Sequence, residues 1–121
     1  MSTSYIATKV VASALTVAQA ATVYTSSMAF GGSAGDVAVI LATTAGTIAV
    51  SQQCSLDNVN WYDPVDAAGA AKGAVVAAQG VTTGKYITFS PVISNWARFK
   101  IIEANVAGTV VTITLATRTE I

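Results

Sequence analysis

The segment "CSLDNVNWYDP", residues 54–64, concentrates side chains of the kinds that bind ligands or take part in catalysis. Asp57, Asp63 and, just beyond the segment, Asp66 lie close in sequence, and paired carboxylates could in principle act as a general acid and a general base. With Asn58 and Asn60 they could also offer oxygen ligands to calcium, although the spacing differs from the twelve-residue calcium loop and its closing glutamate. Asp and Asn in turns, however, most often accept hydrogen bonds from their own backbone, a role that needs no substrate.

We therefore predict that this segment is a structural corner of the fold. The turn residues are Ser55, Asp57, Asn58, Asn60 and Trp61. Replacing Asp57 with alanine should reduce stability through lost turn hydrogen bonds and should not remove any activity.

Aromatic residues offer a second route to binding, since aromatic rings can stack on sugars. Trp61 and Trp96 each stand beside polar residues, where an indole N–H finds a partner easily, and they are the candidate ligand-binding residues. Phe89 and Phe99 lie in alternating apolar patterns and are expected in the core.

Enzymatic chemistry is disfavoured because the chain has no histidine, which removes the usual general base and the commonest metal ligand. No phosphate-binding loop occurs, since "GGSAGD" at residues 31–36 lacks the required lysine. We expect no enzyme, no cofactor and no metal site.

Charge is scarce: six basic and six acidic residues give a formal net charge of zero, and only 10% of residues are charged, against about 25% in a typical soluble domain. Arg98 and Lys100 alone do not make a nucleic-acid stripe, and we expect neither nucleic acid nor membrane as a partner. A neutral surface associates readily. We therefore expect a homo-oligomer.

The pattern of apolar residues predicts an all-β fold. Runs rich in Val, Ile and Thr are separated by Gly, Asn, Asp or Pro. The expected architecture is a single antiparallel β-sandwich, jelly-roll-like, of about seven or eight strands, forming one domain over residues 1–121. The predicted strands include Tyr5–Val11, Ala21–Phe30, Thr47–Leu56, Lys85–Ser90 and Thr109–Ala116.

Two glycine-containing turns, at "TTAGT" and "NVAGT", predict long hairpins over Asp36–Leu56 and Trp96–Thr117. The Gly- and Ala-rich segment 66–84 predicts a loop or an edge strand, because interior glycines disfavour a helix.

The single cysteine, Cys54, cannot form an internal disulfide, which fits synthesis in a reducing cytoplasm. Lys9 and the apolar run that follows it imitate a signal peptide with a cleavage site at residues 18–20. Ser13 and Thr16 interrupt that run, so we expect no cleavage.

The sequence "SLDNVNWYDPV" resembles the S-x-D-G-x-N-W motif of small β-sandwich proteins in tailed-phage particles, with Asn58 where glycine is usual. Asn tolerates the left-handed conformation next best. The stretch "ARFKIIEANVAGTVVTITLA" is similar to the closing hairpin of such proteins. The resemblance implies a virion structural subunit, made in the host cytoplasm, that packs with copies of itself and other virion proteins as capsid decoration.

A related turn also occurs in discoidin-like modules that bind carbohydrate or lipid. The alternative hypothesis is therefore a carbohydrate-binding or host-adhesion module that uses Trp61, Trp96 and nearby carboxylates.

Overall fold

The computed structural model describes residues 4–17, 21–29, 37–44, 47–79, 84–103 and 109–120. Within these ranges it contains nine strands and no helix. The strands are β1 (Ser4–Val17), β2 (Thr22–Tyr24), β3 (Met28–Ala29), β4 (Val37–Thr43), β5 (Ile48–Ser55), β6 (Ala74–Gln79), β7 (Lys85–Phe89), β8 (Trp96–Glu103) and β9 (Thr109–Glu120).

The strands form two antiparallel sheets, as predicted. The first sheet has the order β1-β9-β4-β7, and the second has the order β2-β8-β5-β6, with β3 also paired to β8. If β2 and β3 are counted as one interrupted strand, the structure has eight strands. The first pairs with the eighth, the second with the seventh, the third with the sixth and the fourth with the fifth. This is a hairpin rolled into two sheets, which is the topology of a jelly roll.

The strand count exceeds the predicted seven or eight because the expected strand Ala21–Phe30 is divided. Thr25 occupies the interruption. Its backbone N–H donates to the Phe99 carbonyl at 2.9 Å, and its Oγ1 accepts from the Phe99 N–H at 2.9 Å. The threonine side chain therefore replaces one ladder bond, so the edge of the second sheet bends without leaving a backbone donor unpaired.

The core lies between the sheets and is built by alternation along the central strands. In β8, Ala97, Phe99 and Ile101 point inward and are buried. Phe99 meets Phe89 of the first sheet edge-to-face, with ring centroids 6.1 Å apart and an interplanar angle of 74°. The prediction that both phenylalanines lie in the core is confirmed.

The two predicted hairpins are wrong. Strand β4 belongs to the first sheet and β5 to the second, and β8 and β9 are divided in the same way. The short connections pass between sheets, which lie about 10 Å apart, and each strand pairs with one that is distant in sequence. This arrangement lets both sheets cover one core. The glycine turns on which the prediction rested lie largely outside the described residues.

The segment 66–84 is not a single loop. It begins with a turn in which Asp66 Oδ1 accepts from the N–H groups of Ala68 and Ala70, both at 2.9 Å. It then continues as β6, which covers the free edge of β5. Val75 and Val76 are buried there, so apolar burial explains why this part of the segment is a strand.

Strand ends also differ from the predicted ones. β1 runs through Val17, so the apolar run that imitates a signal peptide forms part of the first sheet, and its cleavage site at 18–20 lies outside the described residues. β5 ends at Ser55, and Leu56, the last residue of the predicted strand Thr47–Leu56, lies outside it and is exposed. No described segment is a helix of the length and apolarity that crossing a membrane requires.

Candidate functional site on the second sheet

The turn after β5 is held by the side chain of its first residue. The Oγ of Ser55 accepts from the backbone N–H groups of Asp57 and Asn58, at 3.3 and 2.9 Å, and donates to Asp57 Oδ1 at 3.0 Å. Asn58 has a φ of 60°, the left-handed conformation that asparagine tolerates.

The carboxylate of Asp57 accepts further hydrogen bonds from the turn. Its Oδ1 accepts from the N–H groups of Val59 and Asn60, both at 2.9 Å, and its Oδ2 accepts from the Asn60 side-chain amide at 2.8 Å. These hydrogen bonds, led by that of the Asn60 N–H, lower the pKa of Asp57 well below its ordinary range. Since the turn's own N–H groups occupy both oxygens, Asp57 is suited to hold the chain in place.

The closed turn returns the chain to β5. The N–H and C=O of Cys54 and Tyr62 exchange two hydrogen bonds of 3.0 Å. Trp61, one residue earlier, is thereby placed over the outer face of the second sheet. The turn therefore acts as a support for one aromatic side chain.

Acid should weaken this turn. Asp57 has a lowered pKa in the folded state, so its contribution to stability is fully present above its unfolded pKa of about 3.9 and is lost as the pH falls toward the folded value. We expect the urea midpoint of the wild-type chain to drop between about pH 5 and pH 2 more steeply than that of Asp57→Asn, which cannot take up the proton. Parallel pH curves for the two proteins would contradict this assignment.

On the outer face of the second sheet, Arg98 lies between two aromatic rings. Its guanidinium carbon is 4.2 Å from the centroid of the Tyr24 ring and 4.5 Å from that of Trp61. Its Nε donates to Gln53 Oε1 at 2.8 Å. Tyr24, Trp61 and Gln53 thus hold the guanidinium of Arg98 in place, in a chain with only six basic residues.

The polar network continues from Gln53 to a carboxylate. Gln53 Nε2 donates to Asp63 Oδ1 at 2.8 Å, and Lys100 Nζ lies 3.5 Å from Asp63 Oδ2. The pKa of Asp63 is lowered, chiefly by the hydrogen bond from Gln53 and further by Lys100, while burial opposes the shift. Asp63 therefore stays ionised beside two cations. We call this group the Arg98 cluster; it comprises Tyr24, Gln53, Trp61, Asp63, Arg98 and Lys100.

A cavity of about 220 Å³ adjoins the cluster. Its lining combines the Lys100 and Asp63 pair with Ser51 and the apolar wall of Pro64. Gly73 completes it, where an added Cβ would lie 2.6 Å from the Gln52 carbonyl oxygen and 2.9 Å from Pro64 Cγ. The close approach of three chain segments therefore requires glycine at this position.

The structure brings the five predicted turn residues together and places Trp61 in the Arg98 cluster. Trp96 stands at the start of β8, opposite Ser55 and two residues before Arg98, so its side chain is on the same outer face. Alternation along β8 places Arg98 and Lys100 on the face opposite Phe99. Tyr24 and Gln53 were not identified from the sequence as their neighbours. Alternation along a strand indicates which face a residue occupies. Tyr24 is 74 positions from Arg98 in the sequence, so no local pattern could indicate that the two are in contact.

Cys54 offers no chemistry of its own. Burial raises the pKa of its thiol, and Gln52 Nε2 lies 3.5 Å from its sulfur. A thiol with a raised pKa is a poor nucleophile at neutral pH. In the described part of the chain, no three His, Cys, Asp or Glu side chains are grouped so that they could hold a metal ion.

Comparison of the chain with protein-family models, with curated proteins and with solved structures finds no match. The function must therefore be inferred from the chemistry of the two outer faces.

Proposed function

We propose that this chain is a structural subunit of a bacteriophage particle, most simply a capsid decoration or auxiliary head protein. It would act by packing against copies of itself and against other virion proteins. Two features of the sequence support the proposal: the "SLDNVNWYDPV" turn, with its resemblance to virion β-sandwich proteins, and the low content of charge. The observation that carries it is the outer face of the first sheet.

A row of uncharged side chains crosses that sheet. Val10, Thr114, Ile40 and Tyr86 are register neighbours on β1, β9, β4 and β7. The three large apolar members are exposed, at 56% for Val10, 47% for Ile40 and 66% for Tyr86. Thr114 separates Val10 from Ile40, whereas Ile40 and Tyr86 are direct neighbours. An exposed row that is mostly apolar is typical of an interaction surface.

The rows on either side of it are equally neutral. They contain Ala38, Ala42, Thr88, Thr112 and Ala116. Among the side chains that the structure describes, none that points outward from this sheet is charged. We name this surface, made by the row and its neighbours, the neutral face.

Burial of the neutral face against a second copy costs little, because none of its described side chains is an ion that has to leave water or needs a partner of opposite charge across the interface. A sheet face can pack against the face of another sheet, and the same surface on each copy satisfies a two-fold contact. Assembly in a particle would add contacts with other subunits, so each face need supply only part of the binding energy.

The experiment is a mass measurement in solution. The wild-type chain is expected to form an oligomer, and Ile40→Asp is expected to weaken self-association at least tenfold while the urea midpoint stays near that of the wild type. Val59→Asp is the control, because Val59 is an exposed apolar residue, at 75%, that lies in the turn after β5 and not on the neutral face. Images of purified particles, with the subunit detected by a bound antibody, test its place in the virion.

A monodisperse wild-type monomer at high concentration would contradict self-packing. Particles that contain no copies of the chain would contradict the proposed role in the virion.

A further inference from the structure

The Arg98 guanidinium is fixed but its hydrogen-bonding capacity is not used up. The ring centroids of Tyr24 and Trp61 lie 4.2 and 4.5 Å from its central carbon, and its Nε donates to Gln53 Oε1. The hydrogen bonds of the described residues use only Nε of this guanidinium. Its terminal nitrogens Nη1 and Nη2 remain as a planar fork, and such a fork matches the two oxygens of a carboxylate.

The Arg98 side chain is held in its orientation before a ligand binds, which distinguishes it from a mobile cation at the surface. An arginine side chain that is free in solution loses rotamer entropy when it binds a ligand. Here the contacts with two rings and with Gln53 hold the side chain in one orientation before any ligand arrives. An anion bound there would meet a cation that is already positioned.

The cavity that Asp63 and Lys100 of the cluster line supplies polar groups of another kind. Ser51 offers a hydroxyl, and Lys100 has N–H donors beyond the one directed at Asp63. Asp63 accepts from Gln53 and pairs with Lys100, and a carboxylate has lone pairs for further donors. Donors and acceptors of this mixture suit hydroxyl groups, which both donate and accept.

Size limits what can occupy the cavity. At about 220 Å³ it is smaller than the 300–1,000 Å³ typical of sites for drug-sized ligands. Arg98 and Lys100 are alternate residues of one strand, and such residues are about 7 Å apart. A single hydroxylated ring that carries a carboxylate is long enough to cover this spacing between neighbouring positions on the strand.

We propose that the Arg98 cluster is a binding site for a sugar acid, such as a uronic acid. The carboxylate pairs with Nη1 and Nη2 of Arg98, and the ring hydroxyls bind Ser51, Asp63 and Lys100 in the adjacent cavity. The site lies on the second sheet and the neutral face on the first, so packing through the neutral face leaves it open. A sugar-acid site therefore adds a ligand-binding function to the proposed structural one.

The test is a calorimetric titration of the full chain with galacturonate and, in parallel, with neutral galactose, over the millimolar range. Galacturonate is expected to bind at least tenfold more tightly than galactose. Arg98→Lys keeps the charge but loses the fork, and it is expected to weaken galacturonate binding at least tenfold. Lys9→Gln, which removes one exposed positive charge from the first sheet, is expected to bind as the wild type does.

A second variant and a longer ligand complete the experiment. If Arg98→Lys does not fold, as judged by its urea transition, Lys100→Gln replaces it and should also weaken binding. A galacturonate trimer that binds at least as tightly as the free acid would identify a glycan end as the source of the carboxylate, and a weaker trimer would identify the free acid. Equal binding of galactose and galacturonate, or no binding to the wild type, would overturn the site. A changed oligomer mass in Arg98→Lys would assign the fork to a partner's carboxylate and would also overturn it.

Discussion

Phe99→Ala is expected to lower the free energy of unfolding by about 3–5 kcal/mol. Phe99 is 1% exposed at the middle of β8, and its ring contacts Phe89 across the space between the sheets. Truncation removes the transfer free energy of the ring and leaves a cavity that two paired sheets cannot close, because their backbones are fixed by ladder hydrogen bonds on both sides.

Urea unfolding followed by tryptophan fluorescence measures this loss. Phe99→Leu keeps most of the apolar volume, and its cost should stay below about 1.5 kcal/mol. If the alanine variant lost no more than the leucine variant, the ring contact between the sheets would not be the central feature of the core that we describe.

Gln52→Leu is expected to cost about 2–4 kcal/mol. Gln52 is 1% exposed on the inner face, where its amide makes two hydrogen bonds with one distant residue. Nε2 donates to the Val92 carbonyl and Oε1 accepts from the Val92 N–H, both at 2.9 Å. Leucine removes both bonds and leaves the partly buried N–H and C=O of Val92 without these partners, which is why the change is expected to lower stability.

Gln53→Leu is the matched control, because the two glutamines are adjacent and differ mainly in the face they occupy. Gln53 bonds the side chains of Asp63 and Arg98, which can turn to water, so its replacement should cost less than half as much. Hydrogen exchange at the Val92 amide should speed up in Gln52→Leu and stay unchanged in Gln53→Leu. Equal costs for the two variants would contradict the distinction between the faces.

The turn after β5 could be predicted from the sequence because most of its hydrogen bonds stay within residues 55–60. Ser55, Asp57 and Asn58 carry their own partners nearby, so residue type and spacing contain most of the information. The burial of Phe99 was accessible for a similar reason, since alternation along one strand defines an inner face.

Strand pairing was less accessible, and the two hairpins show why. Local glycine turns are compatible both with a hairpin and with a crossing between sheets. The choice depends on which distant strands complete each sheet, as when β4 pairs with β9 and β7. The Arg98 cluster is another product of such pairing, because β2 carries Tyr24 to β8.

The position of β8 and β9 has a consequence for the timing of folding. These are the last two of the described strands, yet each is an interior strand of its sheet, with β9 between β1 and β4, and β8 between β2 and β5. During synthesis at about 5–20 residues per second, neither sheet can be completed until these strands have left the ribosome. Until then, the strands that are synthesised earlier have unpaired backbone N–H and C=O groups along their edges. The nascent chain should therefore depend on chaperones and fold slowly, as proteins dominated by distant pairings do.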